Sequence, residues 1–407
     1  MTPRDIRHAW LTRAELAVFD LRDEHSFAGG HPLFASQLPP HRIAIEIARR
    51  VPRKGTPVVV YDNGEGLVDA AIAELEALGY SSVSALDGGL AAWETAGYEL
   101  FEDVNSYSKA FGELVEARRH TPSLAAPDLQ ALIEEKADIA ILDARRFDEY
   151  ATMSIPTGTS VPGGELVLRA RTAAPDPDTL IVVNCAGRTR SIIGTQSLIN
   201  AGLPNRVVAL RNGTIGWTLA GQALDKGQAR RIAEVAPEQR DQARIAARDV
   251  AYRAGVRHID ATSLAALADD AGRTLYRFDV RTPEEHAAGH PAGFTEAPGG
   301  QLVQETDHFA PVRGARIVLA DDIGPRADMT ASWLAQMGWD VLVLEGGFAG
   351  PLETGATALP PRGPEGRYKR PYEGTDNPAV AMQAYLDWEY GLVDQLARDG
   401  SHGFVVI

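Results

Sequence analysis

The sequence contains a single cysteine, Cys185, among 407 residues. One cysteine excludes an intramolecular disulfide, a cysteine-rich zinc site and any mechanism that uses an internal resolving thiol. Long hydrophobic runs are also missing, because apolar stretches such as 58–60 and 181–183 fall far short of the roughly 20 residues that a membrane span needs. The first residues show no apolar export core and no small-residue cleavage site, so we expect no secretion signal and a cytoplasmic location.

Positive charge is scarce. Lys and Arg together number 40 against 55 Asp and Glu, which gives a formal net charge of −15. This charge repels nucleic acid phosphates and anionic lipid over most of the surface, so we expect neither nucleic acid nor membrane as a partner. The hydrophobic residues, 44% of the chain, are ample for two to four domains at roughly 100–200 residues each.

A strand-like run that ends in Asp-x-Arg occurs three times, at Asp20, Asp143 and Asp279. Each copy is followed, at the same distance, by the end of a second apolar run, a polar glycine-containing loop, a helical stretch, a third apolar run and a Gly-Gly or Asn-Gly turn. Short apolar runs that alternate with helical patterns are typical of parallel strands joined by crossover helices. The sequence therefore predicts three tandem α/β domains, each a parallel sheet flanked by helices. Their approximate bounds are 1–105, 118–228 and 250–357.

The remainder, 358–407, is predicted to be a linker and a C-terminal helical tail. Residues 359–364, Leu-Pro-Pro-Arg-Gly-Pro, indicate a linker by composition. Residues 379–398 predict one amphipathic helix, for which packing across a domain or dimer surface is favoured over a role in ligand binding. A further helix, within 225–248, is expected to connect the second and third domains.

The middle repeat carries the loop in which we expect chemistry. Its residues are Cys185, Ala186, Gly187, Arg188, Thr189, Arg190 and Ser191. A loop that opens a helix presents unpaired N–H groups and the positive end of the helix dipole to whatever it surrounds. Cysteines in such positions have pKa values lowered from about 8.5 to roughly 3.5–7.5. We therefore predict that Cys185 is an ionised nucleophile at neutral pH.

Two arginines alternate in this loop. Arg188 and Arg190 favour a thiolate and can hold an anionic substrate by charge-assisted hydrogen bonds, and Ser191 can donate its hydroxyl to the sulfur. The competing interpretation is that Cys185 is a buried small hydrophobe, which is the commoner fate of a free cysteine, and that the arginines are solvated surface charges. The glycine two residues after the cysteine and the paired arginines favour the catalytic interpretation.

At this loop the chain resembles the tandem rhodanese-domain sulfurtransferases, in which a cysteine starts the loop between a central strand and a helix. The run 152–158 departs from the Gly-His-Ile-Pro-Gly-like sequence that is usual in that family. The resemblance extends over nearly all of 1–357, with the outer repeats matched by order and spacing. The features that carry it are Asp143 and Arg145, Glu149 and Tyr150, the turn 161–164, the Cys185 loop, and Asn212, Gly213 and Trp217.

The resemblance implies sulfur transfer in two displacement steps. Cys185 attacks the outer sulfur of a donor such as thiosulfate, which leaves sulfite and a Cys185 persulfide, and an external thiol or cyanide then takes the sulfur. The amides of 186–191 stabilise the sulfur, while Arg188 and Arg190 bind the departing anion. The acceptor must come from outside because the chain has no second cysteine. We expect no cofactor and no metal.

The outer repeats have aspartate at the position of the nucleophile, Asp62 in the first and Asp321 in the third. Neither can carry sulfur, but an aspartate carboxylate can accept the loop amide hydrogen bonds that a thiolate or bound anion would otherwise receive. We predict that both outer domains are catalytically silent and frame the active cleft or mediate assembly. A homodimer stays open.

Two other functions are compatible with parts of the sequence. Cysteine-dependent phosphatases also place a thiolate and an arginine in an amide-lined loop. In this sequence four residues, 186–189, separate Cys185 from Arg190, which is one residue fewer than in the phosphatase loop. A non-catalytic persulfide sensor or scaffold is the other alternative, since two of three repeats lack the nucleophile. Release of phosphate from an aryl phosphate, without thiocyanate from thiosulfate and cyanide, would favour the phosphatase.

Overall fold

The computed structural model describes residues 1–232, 234–357, 370 and 372–407. Within them the chain forms three successive α/β units, each built on a parallel sheet with flanking helices, and a helical tail. The predicted fold class is confirmed, while the predicted linker at 359–364 lies outside the described residues. No helix in the described part of the chain is long and apolar enough to span a bilayer.

The first unit has a parallel sheet in the strand order β2-β1-β3-β4, with the strands β1 (Ala17–Asp20), β2 (Ser36–Gln37), β3 (Val58–Tyr61) and β4 (Val83–Ala85). Both β1 and β3 are buried along their whole length. Full burial on both faces explains their continuous apolar sequence. The helices of this unit and the one after it are α1 (Pro3–Thr12), α2 (Glu24–Ala28), α3 (Ile43–Arg50), α4 (Val68–Ala77), α5 (Gly89–Thr95) and α6 (Ser106–Arg119), with a 3-10 turn at Pro40–Arg42.

The middle unit has the strand order β5-β9-β8-β6-β7, with β5 (Ser123–Leu124), β6 (Ile139–Asp143), β7 (Thr159–Ser160), β8 (Leu180–Asn184) and β9 (Val207–Leu210). Apolar side chains cover its two faces as two separate core clusters. Its helices and the one after it are α7 (Ala126–Glu134), α8 (Phe147–Thr152), α9 (Leu166–Ala173), α10 (Thr189–Asn200), α11 (Gly213–Leu219) and α12 (Pro237–Arg253), with a 3-10 turn at Gly163–Glu165.

The third unit repeats this arrangement in the order β10-β15-β14-β11-β13, and β12 pairs antiparallel with β16 beside it. Its strands are β10 (Arg257–Ile259), β11 (Leu275–Asp279), β12 (His290–Pro291), β13 (Thr295–Glu296), β14 (Arg316–Ala320), β15 (Asp340–Leu344) and β16 (Leu352–Glu353). Its helices are α13 (Ala261–Ala268), α14 (Pro283–Ala288), α15 (Gly299–Gln304), α16 (Thr306–Phe309) and α17 (Pro325–Gln336), with a 3-10 turn at Gly347–Ala349.

The connecting helix and the tail differ from their sequence predictions. α12 starts at Pro237 rather than near 225. Proline favours the first helical position because its φ is already helical and because the N–H that it lacks would have no acceptor within the helix. The tail forms two helices, α18 (Pro378–Tyr390) and α19 (Leu392–Asp399), separated at Gly391. Glycine has a low helix propensity, and the break lets α19 bury Leu392 and Leu396 in the core.

The repeated Asp-x-Arg motif performs the same structural task in all three units. In each copy the arginine forms a two-pronged ion pair with the aspartate two residues before it and also donates to a backbone carbonyl. Such paired, hydrogen-bonded contacts make burial of both charges tolerable. The motif thus anchors the chain that follows the first long strand of each unit. The carbonyls belong to Gly30, Met153 and Gly289.

The first and third units share one hydrophobic core, into which α6 and the tail are packed. Phe111 of α6 makes edge contacts with Trp333 of α17 and Phe404 of the tail, at ring-centroid distances of 6.0 and 5.2 Å. Tyr107 donates its hydroxyl to the Met337 carbonyl at 2.8 Å. α6 is therefore a fixed wall between the outer units, and its other side contacts α10 of the middle unit.

Candidate active site

The middle unit presents Cys185 at the carboxyl end of its central strand. β8 lies between β6 and β9 and ends at Asn184, and the loop after it enters α10 at Thr189. The crevice outside the carboxyl ends of parallel strands is where α/β folds bind ligands. The predicted strand, tight loop and helix N-terminus around Cys185 are therefore present.

Two hydrogen bonds from α11 set the orientation of the loop. The backbone N–H groups of Thr214 and Ile215 donate to the carbonyls of Cys185 and Ala186, each at 3.0 Å. Because a peptide unit is planar and trans, the N–H groups of Ala186 and Gly187 then point away from α11. The carbonyls of Cys185 and Ala186 are thus hydrogen-bonded to α11, and the N–H groups of Ala186 and Gly187 lie on the opposite side of the loop.

Gly213 makes this close approach sterically feasible. Its backbone has a φ of +54°, and a β-carbon there would lie 2.3 Å from the Cys185 carbonyl oxygen and 2.7 Å from that of Gly187. Real β-carbons do not approach that closely, and residues other than glycine rarely adopt this backbone conformation. The Asn-Gly turn recognised in the sequence therefore shapes the Cys185 loop directly.

Cys185 lines a cavity of about 290 Å³, although its side chain is only 2% exposed. The loop residues 186–190 line the same cavity, so the structure brings together most of the predicted site. The other walls come from all three units and the tail. They include Lys109 of α6, Gln304 of α15, and Arg370, Tyr372, Tyr385 and Glu389 of the tail.

Ser191 lies behind the sulfur with its hydroxyl engaged elsewhere. The Cys185 Sγ is 3.5 Å from the Ser191 Oγ, and that hydroxyl donates its own proton to the Arg188 carbonyl at 2.7 Å. In this arrangement the thiol is the donor and the serine oxygen the acceptor. This is the reverse of the expected donation from Ser191 to the sulfur.

Burial raises the pKa of the Cys185 thiol above its ordinary value, and the negative charge of Glu389 acts in the same direction. The Arg190 guanidinium and the N–H of Ser191 lower the pKa, but they do not offset the loss of solvation. The sequence prediction of a thiolate at neutral pH took the helix N-terminus into account but not the depth of the side chain. Cys185 therefore rests as a thiol and ionises at higher pH.

We expect alkylation of Cys185 by iodoacetamide to accelerate with pH through a midpoint above about 8.5, the ordinary value for cysteine. The reason is that the thiolate is the nucleophile and burial disfavours it. The experiment measures the second-order rate constant across pH by intact-protein mass, with glutathione as the reference thiol. The single cysteine makes the signal unambiguous. A midpoint below about 7.5 would instead support the ionised cysteine that the loop position predicts.

Arg190 lines the cavity and is held in place by Glu149 of α8. Its Nη1 and Nη2 donate to the Glu149 Oε2 and Oε1 at 2.7 and 3.0 Å, a bidentate pair of partly buried side chains. Burial alone would raise the pKa of Glu149, but Arg190, Arg146 and Arg145 together lower it to about 2. Arg190 is thus a permanent cation in a fixed position whose charge also favours the Cys185 thiolate.

Arg188 has a different environment from Arg190. Its Nε and Nη2 donate to the two carboxylate oxygens of Glu113 at 2.7 and 2.8 Å, and Nη2 also contacts Glu116 of the same helix. Its Nη1 bonds the Tyr390 hydroxyl at 2.8 Å, with the guanidinium stacked over that ring. The side chain is 3% exposed. Arg188 therefore ties the start of α10 to α6 and to the tail.

Arg188→Ala should lower the free energy of unfolding by about 3–5 kcal/mol, the usual effect of removing one partner of a buried ion pair. The carboxylates of Glu113 and Glu116 would be left without their cation at the α6–α10 contact. Urea unfolding followed by circular dichroism measures the effect, and Arg211→Ala, which removes an exposed arginine of the same unit, is the control. A loss no larger than that of the control would contradict the anchoring role.

Sequence reasoning missed the contribution of the tail. Tyr385 and Glu389 of α18 reach the cavity, and Arg370 lies 3.7 Å from the Glu149 carboxylate on which Arg190 also sits. The tail helix packs, as expected, but it also lines the site. The amphipathic pattern of 379–398 predicted the packing of this helix, whereas no spacing in the sequence linked it to Cys185.

The corresponding loops of the outer units are filled by their own aspartates. Asp62 accepts hydrogen bonds from the N–H groups of Gly64 and Leu67 at 3.0 and 2.6 Å. Asp321 accepts from those of Gly324 and Arg326, each at 2.9 Å. A carboxylate thus takes up the loop donors in both units, as the sequence led us to expect. Catalytic silence of the outer units stays a prediction.

The chain is similar to known proteins both in sequence and in structure. The model of the rhodanese-like domain matches residues 7–96, 125–220 and 260–352, more than half of the chain. The crystal structure of thiosulfate sulfurtransferase from Pseudomonas aeruginosa is 50% identical, covers 100% of this chain and 99% of that chain, and superposes with a TM-score of 0.96. A rhodanese-related protein from Thermoplasma volcanium is 25% identical over 26% of this chain and 97% of its own, with a TM-score of 0.23. Comparison with curated proteins gave no match.

Proposed function

This chain belongs to the rhodanese-like family and is a sulfurtransferase, and from this premise we propose that it moves a sulfane sulfur from thiosulfate or a related persulfide donor to a thiol or to cyanide through a Cys185 persulfide. One observation carries the proposal. The only cysteine of the chain lies at the entrance to α10, in the wall of a cavity of about 290 Å³ that it shares with Arg190.

The first step forms the persulfide. The Cys185 thiol loses its proton to solvent, and the thiolate electron pair attacks the outer sulfur of thiosulfate. A new S–S bond forms at Cys185, the S–S bond of thiosulfate breaks, and sulfite departs with that electron pair. Arg190 is the cation positioned for the oxygen atoms of the departing anion, because its guanidinium is fixed by Glu149 and lines the same cavity.

The second step returns the enzyme to its starting state. A thiolate or cyanide ion attacks the outer sulfur of the Cys185 persulfide, a new S–S or S–C bond forms, and Cys185 leaves as a thiolate that takes a proton from solvent. The acceptor is an external molecule because the chain has no resolving cysteine. The N–H groups of Ala186 and Gly187 and the start of α10 stabilise negative sulfur in each state.

The residues of the predicted substrate-binding loop thereby have two different roles. Arg190 acts on the donor and on the ionisation of Cys185, and 186–190 line the space that the donor enters. Arg188 acts as a positioning residue, since two glutamates of α6 already neutralise its guanidinium. The outer units would then act through the cavity walls that they supply rather than through chemistry of their own.

Mass spectrometry after exposure to a donor tests the function. After incubation with thiosulfate, we expect Cys185 to gain the mass of one sulfur atom, and added cyanide should remove it and yield thiocyanate over many cycles. A parallel incubation with an aryl phosphate serves as the control for the phosphatase reaction. Phosphate release without thiocyanate would contradict the proposal, and a persulfide that cyanide cannot discharge would point to a sensor.

A further inference from the structure

The tail places a buried carboxyl group in the wall of the Cys185 cavity. Glu389 of α18 is 1% exposed, and its Oε1 accepts a hydrogen bond from the Tyr385 hydroxyl at 3.2 Å. Its Oε2 has no hydrogen-bond partner among the described residues. A β-carbon at position 187 would lie 3.2 Å from that Oε2, a tight contact, so Gly187 of the catalytic loop leaves room for the carboxyl.

The mechanism proposed above makes no use of this group. A buried carboxyl oxygen without a partner is costly, and its presence against the catalytic loop calls for an interaction with what enters the cavity. The charged and titratable groups around Glu389 come from every neighbouring element. They are Lys109 and Glu113 of α6, Asp103 before it, Cys185 and Arg188 of the catalytic loop, and Tyr385 on α18 itself.

These surroundings keep a proton on Glu389 at neutral pH. Burial, together with the nearby carboxylates of Glu113 and Asp103, raises its pKa to about 8, because Lys109 and Arg188 offset only part of the lost solvation. Glu389 and Cys185 are also coupled, because a negative charge on the glutamate raises the pKa of the thiol. Among molecules with a Cys185 thiolate, those with an uncharged Glu389 therefore accept an anion best, and their share declines as Glu389 ionises.

We propose that Glu389 selects the charge of the molecules that reach Cys185. As a carboxylic acid it donates a hydrogen bond from the otherwise unpartnered side to an anion beside the sulfur, and as a carboxylate it repels that anion. This inference rests on the proposed function, in which the donor is an anion. It adds that Glu389 of the tail makes the reaction of Cys185 with anionic donors depend on pH. The reaction with uncharged donors does not depend on the charge of Glu389.

Alkylation with a matched pair of reagents tests the proposal without sulfur transfer. Iodoacetate and iodoacetamide attack the same Cys185 thiolate and differ mainly in charge, so the ratio of their rate constants cancels the ionisation of the thiol. We expect the iodoacetate-to-iodoacetamide ratio to fall about tenfold between roughly pH 6.5 and 9.5, the scale of one added negative charge at close range in a partly buried site. The single cysteine makes both rates readable by intact-protein mass.

Three variants test whether the Glu389 carboxyl causes the decrease of the iodoacetate-to-iodoacetamide ratio with pH. Glu389→Gln keeps the shape and cannot ionise, so its ratio should stay at the high value throughout. Asp387→Asn removes an exposed carboxylate of the same helix and should behave as the unaltered protein. Tyr385→Phe removes the donor to Oε1, which stabilises the carboxylate, so its midpoint should move to higher pH and gives a second test should Glu389→Gln fail to fold. A ratio that is constant in the unaltered protein, or a fall that survives Glu389→Gln, would overturn the proposal.

Sulfur-transfer assays separate this inference from the function on which it rests. With thiosulfate as donor, kcat/KM should decline on the alkaline side in the unaltered protein and not in Glu389→Gln. With an uncharged organic trisulfide as donor, the unaltered protein and Glu389→Gln should both keep their activity at alkaline pH. If no sulfur is transferred but the alkylation ratio depends on pH, the proposed function is refuted and the charge selection by Glu389 is kept. If sulfur is transferred but the ratio is constant, the charge selection is refuted and the proposed function is kept.

Discussion

Cys185→Ser should abolish sulfur transfer and leave the chain folded. A serine hydroxyl is not ionised at any accessible pH and cannot form a persulfide, and removal of a covalent nucleophile commonly lowers turnover by about 10⁴-fold or more. The side chain is 2% exposed and donates only one long hydrogen bond, to Ser191 at 3.5 Å. Serine fits the same space, so the effect on stability should be small.

Thiocyanate formation from thiosulfate and cyanide measures this loss, with thermal unfolding as the control for folding. Cys185→Ala is the matched variant, because it removes the hydroxyl as well and should be equally inactive. Turnover in either variant would remove Cys185 from its role as nucleophile. Since the sequence offers no other sulfur nucleophile, it would also remove the persulfide mechanism.

Arg190→Gln should lower kcat/KM with thiosulfate by about 10²–10³-fold, the usual effect of losing one fixed electrostatic contact to a developing charge. Two causes act together. The cation that faces the departing sulfite is lost, and the charge that lowers the pKa of Cys185 is lost with it. With an uncharged organic trisulfide only the second cause applies, so the loss should be clearly smaller.

The control is Arg146→Gln, since Arg146 also approaches Glu149, at 3.6 Å, but has a side chain that is 54% exposed. This variant should keep its activity with both donors. A second control, Arg190→Gln combined with Glu149→Gln, also removes the carboxylate that the single substitution leaves unpaired. Equal losses on the two donors would contradict the role in anion binding, and recovery in the double variant would show that the unpaired Glu149 caused the loss.

The fold was accessible from the sequence because its evidence is local. Each strand of the repeat is a short apolar run, and each crossover is a helical pattern of the right length, so the three copies can be recognised by order and spacing. The aspartates at positions 62 and 321 were equally readable, and the carboxylates do take up the loop amides. Break points such as Gly391 were less predictable, because they depend on what each helix must bury.

The roles of the two arginines could not be separated in the sequence. Arg188 caps the start of α10 and Arg190 lies on its first turn, two positions later, so the two side chains face in different directions. One meets Glu113, from a helix that precedes the middle unit, and the other meets Glu149 of α8. Only the packing of α6 against α10 decides that Arg188 is held by two glutamates, while Arg190 is paired with one and lowers the pKa of the Cys185 thiol.

By itself the sequence determined where the single cysteine lies, how many copies of the unit there are and which of them lack a cysteine, because these follow from residue identity and local periodicity. The tertiary structure decided how that sulfur is solvated, which arginine stands beside it and that Glu389, distant in the chain, borders the same cavity. The physical reason is that ionisation and charge recognition depend on distances and burial. Those are set by contacts between segments far apart in the chain, which the order of residues does not display.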